Sequence, residues 1–199
     1  MATSKPRPKK LLITKGRTVR TYAELWHAAG CVMRSGQENP IGSSWQFLSG
    51  LMLTAFSFEA YLNHVGPESI ACWEELERLS PMAKLKVLCE RLTLPMPAAG
   101  KRPLDTVQKL FDFRNAIAHG RTAEVKYKPA VRHQNNYEEE FNARALSSWE
   151  RDIQDDKFLH RAREDAEAVM RLIQAKRLSA TDNLFTSGPG WSSATLMAD

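Results

Sequence analysis

The sequence predicts an all-α fold, an antiparallel helical bundle with long connecting loops. Three observations predict it. Apolar residues recur at three- and four-residue intervals through most of the chain, the signature of helices that bury one face. Between those stretches lie clusters of proline, glycine and serine, which stop helices. The chain has 199 residues, 43% of them hydrophobic, with 5 Trp and 8 Phe, enough for one domain with a substantial core.

The elements follow in order. TYAE, starting at Thr21, has the threonine–glutamate spacing of a capping box, and Tyr22, Leu25, Trp26, Ala29, Val32 and Met33 continue at helical spacing, so residues 22–34 form a first helix. SGQENPIGSS, residues 35–44, is a loop. Ser43 with Gln46 then caps a second helix that runs to about Val65 and stops at Gly66 and Pro67. Ile70, Trp73, Leu76 and Leu79 mark a short amphipathic helix over 68–79. Ser80 followed by Pro81 reads as an N-cap and a first helical proline, opening a helix that carries Met82, Leu85, Val87, Leu88 and Leu92. TLPMPAAGKRP, residues 93–103, is a loop fit to border a binding surface. Leu104, Val107, Leu110, Phe111 and Ile117 mark the next helix, with Gly120 as its C-terminal cap. Residues 121–136 are irregular or a brief hairpin around VKYK, residues 137–153 are helical in part, and Leu159, Ala162, Ala166, Val169, Met170 and Ile173 define a last helix from about Asp156 to Leu178.

The domain organisation is therefore a basic flexible arm over 1–20, one helical domain over 21–178, and a flexible tail over 179–199. The formal charge of +5 belongs to the arm. Lys5, Arg7, Lys9, Lys10, Lys15, Arg17 and Arg20 carry +7 with no acidic residue among them, leaving 21 basic against 23 acidic residues in the rest. Such an arm suits a phosphate backbone, and it also suits a merely soluble tail. Cys31, Cys72 and Cys89 are odd in number and contain no CxxC, which argues against a disulfide scaffold and a structural zinc site; each reads as a buried free thiol. WQFLSGLMLTAFSFEAYLNH, residues 45–64, is apolar, but Gln46, Ser49, Thr54, Ser57, Glu59 and Asn63 interrupt it, so it reads as a central bundle helix and not a membrane span. With no secretory signal at the start of the sequence, a reducing cytoplasm is the expected location. No metal-ligand cluster, phosphate-binding loop or dinucleotide fingerprint occurs, and neither a metal nor a cofactor is expected.

The stretch FDFRNAIAHG, residues 111–120, is the part that chemistry can use. On a regular helix Asn115 and His119 stack on one face, whereas Arg114 lies about 140 degrees around from His119. One helix does not aim both at one atom unless its end unwinds or a second copy contributes. A histidine that exchanges a proton and a guanidinium that clamps phosphate suffice for RNA cleavage by the adjacent 2′-hydroxyl, leaving a 2′,3′-cyclic phosphate and a 5′-hydroxyl. Asn115 would orient His119 or bind nonbridging oxygens. Equally, Arg114 can pair with an acidic neighbour and His119 can cap carbonyls before Gly120; spacing alone leaves both readings open. Glu59 is a carboxylate in a strongly apolar helix and needs a partner. His64 reads as a C-terminal helix cap, and His27, His133 and His160 as ordinary polar groups.

FDFRNAIAHG resembles the signature of the HEPN superfamily, in which an arginine precedes a polar residue and, a few positions on, a histidine. Arg114, Asn115 and His119 match those positions, with four residues between Arg114 and His119. FSFEAYLNHVG, a tryptophan-containing segment and KLKVLCERL precede it in the order of bacterial HEPN proteins of the abortive-infection and toxin type, so the resemblance covers about residues 44–120. It implies a HEPN-like bundle that dimerises with two motif helices across a shared cleft, which resolves the angular problem. It further implies a metal-independent endoribonuclease in toxin or phage-defence function, with Arg114, Asn115 and His119 catalytic. Glu59 resembles the acidic position on the facing helix, where it would contact Arg114 or His119. RNA would be the substrate, and a nucleotidyltransferase-type antitoxin fits as partner. Other members bind nucleotides or proteins without cleavage, which keeps a noncatalytic dimeric regulator as the alternative.

Overall fold

The computed structural model describes residues 10–96, 98–126, 144–177 and 183–197. Along them run β1 (Leu11–Arg17), α1 (Thr21–Glu38), α2 (Ser44–Ser69), α3 (Trp73–Leu76), α4 (Pro81–Arg91), α5 (Leu104–Ala118), α6 (Ser148–Asp152), α7 (Asp156–Gln174) and β2 (Gly190–Leu196). The helices form a bundle, as the periodicity predicts, and the strands add a two-stranded antiparallel ribbon.

The longest helix, α2, is the hub, packed against α1, α4, α5 and α7. Leu51, Ala55, Phe58, Leu62 and Val65 fall at three- and four-residue intervals along it and are fully buried. They meet Tyr22, Trp26 and Met33 of α1, Leu85 and Leu88 of α4, Val107, Leu110 and Phe111 of α5, and the stripe from Leu159 to Ile173 on α7. Burying each large side chain contributes about 1.5–3 kcal/mol, so this shared core holds the fold.

Three hydroxyl side chains of α2 are satisfied inside the protein. Thr54 Oγ1 donates to Gly50 O at 2.7 Å, Ser57 Oγ donates to Tyr22 O at 2.7 Å, and Tyr61 Oη donates to Met170 O at 3.1 Å and to Gln174 Oε1 at 3.0 Å. The Ser57 and Tyr61 bonds tie α2 to α1 and α7. Among the described residues no helix is long and apolar enough to cross a membrane.

Several expectations need correction. Thr21 is not an N-cap: Arg20 occupies that position, without a side-chain capping bond. Ser43 does precede α2, but its backbone is already helical and its side chain caps nothing. Helix α1 continues past residue 34 to Glu38, because Gly36 lets it lie against α2; a Cβ there would sit 3.0 Å from Phe47 Cε1. Helix α2 passes through Pro67 to Ser69. Gly66 makes this workable, since Trp73 packs against its bare α-carbon, where a Cβ would lie 2.0 Å from Cε2. The extension leaves α3 only Trp73–Leu76. The cap after α5 is His119, and Gly120 has no positive φ. Of the cysteines only Cys89 is buried, with its thiol pKa pushed up by burial, while Cys31 and Cys72 are exposed. Ser80 and Pro81 do open α4 as read, with Ser80 Oγ accepting from Ala83 N.

Where an arm and a tail without secondary structure were expected, residues 11–17 pair with residues 190–196, from Leu11 opposite Leu196 to Arg17 opposite Gly190. The cause is an anchor just before β2. Leu184 is buried, the Phe185 ring stacks on Trp26 at 4.3 Å, and His27 Nε2 lies 2.8 Å from Phe185 O. Thr18 N donates to Pro189 O at 2.9 Å, so the anchored segment is delivered alongside β1.

Candidate functional site

Helix α5 buries Leu104, Val107, Leu110 and Phe111. Arg114 comes next at the same spacing, so its stem continues the packed face while its guanidinium reaches the edge, towards α2. On α2, Trp45, Met52, Phe56, Glu59 and Asn63 lie within a sector of about 60 degrees. Part of that sector is open, with Trp45 70% and Phe56 40% exposed. Glu59 is the carboxylate of this stripe.

The two elements meet through that carboxylate. Arg114 Nη2 donates to Glu59 Oε2, Arg114 Nη1 donates to Asn115 Oδ1 at 2.9 Å, and the guanidinium lies 5.9 Å from the centre of the Phe56 ring. From α4, Lys84 Nζ donates to the other oxygen, Glu59 Oε1, at 3.3 Å. One carboxylate thus bridges two cations. The Lys84 side chain is only 2% exposed, against 22% for Glu59 and 19% for Arg114. Burial strengthens such pairing and makes a lost partner costly. Two nearby polar atoms on these elements, Arg114 Nε and Asn63 Oδ1, are buried without a hydrogen bond.

Of the four predicted catalytic residues, the structure brings Glu59, Arg114 and Asn115 together. His119 stands apart. It is exposed, its backbone leaves the helix at φ −113°, and its N–H donates to Asn115 O at 2.9 Å. Among the described residues its side chain makes no hydrogen bond or ion pair, so nothing ties it to the Glu59–Arg114–Asn115 group. Lys84 escaped the sequence reading, although a signal existed: with Pro81, Leu85 and Leu88 it completes the buried face of α4.

The basic residues divide. Lys5, Arg7 and Lys9 lie outside the described residues. Lys10, Lys15 and Arg17 are exposed at or next to β1, and Arg20 precedes α1, with Nη1 donating to Thr186 O at 3.4 Å. His64 is not a helix cap, since α2 continues for another turn. Its ring tilts against Tyr22, its Nε2 lies 3.2 Å from Arg177 Nη2, and its pKa is lowered, first by burial and then by Arg177. His133 lies outside the described residues. No group of three or more His, Cys, Asp or Glu side chains that could hold a metal ion occurs among the described residues.

No family model, curated protein or solved structure matches the chain. The chemistry open to the site follows from its own geometry. It has a fixed guanidinium with an amide beside it, a free imidazole at the end of the same helix, and exposed aromatic surface adjoining them.

Proposed function

We propose that the chain is a HEPN-type, metal-independent endoribonuclease that works as a homodimer, in a toxin or phage-defence role. The observation that carries this reading is the Glu59–Arg114–Asn115 arrangement, which fixes the guanidinium at a protein edge. A structural ion pair needs no such edge, and a phosphate clamp does.

In this mechanism Arg114 holds the nonbridging oxygens of the scissile phosphate and Asn115 donates to one of them. Glu59 acts on Arg114 and does not touch RNA, so it is a positioning residue. His119 takes the proton from the 2′-hydroxyl as that oxygen bonds to phosphorus. The bond from phosphorus to the 5′-oxygen breaks, and the leaving oxygen takes a proton from the second motif of the dimer. Cyclic phosphate and 5′-hydroxyl ends result, and a 2′-deoxy substrate has no nucleophile. The exposed Phe56 beside Arg114, with the exposed Trp45 farther back along the same stripe of α2, supports a second copy as the cover of this face, which would bring two motifs together.

A noncatalytic regulator that binds protein or nucleotide is the second reading. It is favoured by Lys84, because a carboxylate shared between two cations also makes a sound strut between α2, α4 and α5. Purified protein incubated with mixed RNA in chelator separates the readings. Cleavage by the parent and its loss in a folded His119→Ala variant are expected; equal RNA stability with both proteins supports the regulator.

A further inference from the structure

We propose that the β1–β2 ribbon is a platform for single-stranded RNA, on which a base stacks against the Trp191 indole while Lys15 and Arg17 contact phosphates. The choice of RNA rests on the nuclease reading above.

The indole is held in a way that suits stacking. Trp191 pairs with Gly16 across the ribbon. A Cβ at Gly16 would lie 2.8 Å from each of Cε2, Cζ2 and Nε1. Gly16 has no side chain, so the Nε1–Cε2–Cζ2 edge of the indole seats against it. The ring is thereby held against the ribbon, and Trp191 remains 59% exposed. An anchored aromatic plane with much of its surface open is what a base requires, and every base offers a matching face.

The charge around the ring points to the same ligand. Neither strand contains an acidic residue. Lys15 and Arg17 flank Gly16, and Lys10 precedes β1; among the described residues none of the three has an ion pair or side-chain hydrogen bond. Strand alternation directs Lys15 and Arg17 to the face opposite Trp191, but the ribbon is only two strands, about 5 Å, across. Their long side chains can reach around its edge, and Lys15, Gly16, Arg17, Gly190, Trp191 and Ser192 line one shallow depression. A backbone of phosphates following that edge meets the cations while one base turns onto the indole. An acidic peptide would satisfy the cations but has no planar face for the ring.

The test uses the full chain carrying His119→Ala, so that substrate survives, and a dye-labelled ten-nucleotide oligouridylate read by fluorescence anisotropy in chelator. Adding Trp191→Ala should weaken binding by about 5- to 150-fold, and Trp191→Phe should restore most of it. Replacing Lys15 and Arg17 by alanine should make the slope of log affinity against log salt shallower by roughly 1.4. Duplex RNA of the same length should be indifferent to Trp191. Unchanged circular dichroism shows that each variant is folded. Oligouridylate binding that ignores Trp191→Ala overturns the proposal, as does Trp191-dependent capture of an oligoglutamate peptide with no binding of oligouridylate. Trp191-dependent binding by a protein that cuts no RNA would keep the platform and sink the nuclease; cleavage without Trp191-dependent binding would do the reverse.

Discussion

Glu59→Ala removes the one carboxylate that faces both Lys84 and Arg114. The two cations then differ in what remains to them. Arg114 keeps Asn115 and some solvent, with 19% of its side chain exposed, whereas Lys84 is 2% exposed and keeps no acidic partner among the described residues. A buried charge stripped of its partner costs about 3–5 kcal/mol, and the partial exposure of Glu59 and Arg114 places the expected loss near the lower end, about 3 kcal/mol. Lys84→Met alone leaves Glu59 paired with Arg114 and should cost no more than about 1.5 kcal/mol, the scale of a lost hydrogen bond. The double variant has no orphaned lysine, so it should be more stable than Glu59→Ala by roughly 1–2 kcal/mol. Urea unfolding followed by circular dichroism at one fixed protein concentration measures all three. A Glu59→Ala loss within about 0.5 kcal/mol, the range of an ordinary surface substitution, would refute the reasoning. So would strict additivity of the two single changes.

Other outcomes follow from the same structure. Burial and Arg177 hold the His64 pKa below its ordinary 6.5, so the unfolded chain binds that proton more readily than the folded one. The stability this provides is present above about pH 6.5 and is lost as pH falls through the lower folded value; thermal melts from pH 7 to 5 should fall less steeply in His64→Asn. Gly66→Ala pushes a methyl group into Trp73 and should cost about 1–3 kcal/mol by urea unfolding, with a neutral result contradicting the close packing of α2 on α3. Trp45→Asp should turn a dimer into a monomer in analytical ultracentrifugation without changing its helix content; a dimer that survives would move the interface elsewhere.

Much of the bundle was legible because its helices bury one face, and a periodic sequence reports that directly. The stripe from Leu159 to Ile173 on α7 and the Ser80–Pro81 start of α4 are examples. What local reading missed depends on contacts far along the chain. Pro67 reads as a stop, yet α2 is held past it by the packing of Trp73 on Gly66. The ribbon joins segments more than 170 positions apart, Leu11 to Leu196, and its cue was the apolar Leu184–Phe185 pair inside a polar tail. At the site, the partner that Glu59 required was foreseeable from its place in an apolar helix, and Arg114 fills that role. Lys84 was hidden because lysine in an amphipathic helix is usually solvated, even when its spacing places it inside. The angular gap between Arg114 and His119 follows from regular helix geometry, whereas the departure of His119 from the helix as its C-cap was not legible, because Gly120 read as the cap.

The proposed reaction is cleavage of RNA by Arg114, Asn115 and His119 through the neighbouring 2′-hydroxyl. Its most direct measurement uses an oligonucleotide that is 2′-deoxy except for a short ribonucleotide stretch, incubated in chelator, with product ends identified by mass spectrometry. The account predicts cuts only after ribonucleotides, 2′,3′-cyclic phosphate and 5′-hydroxyl ends, and a rate about 100- to 10,000-fold lower in folded His119→Ala. Cuts at deoxy positions, 3′-hydroxyl ends, or an undiminished rate in His119→Ala would contradict it.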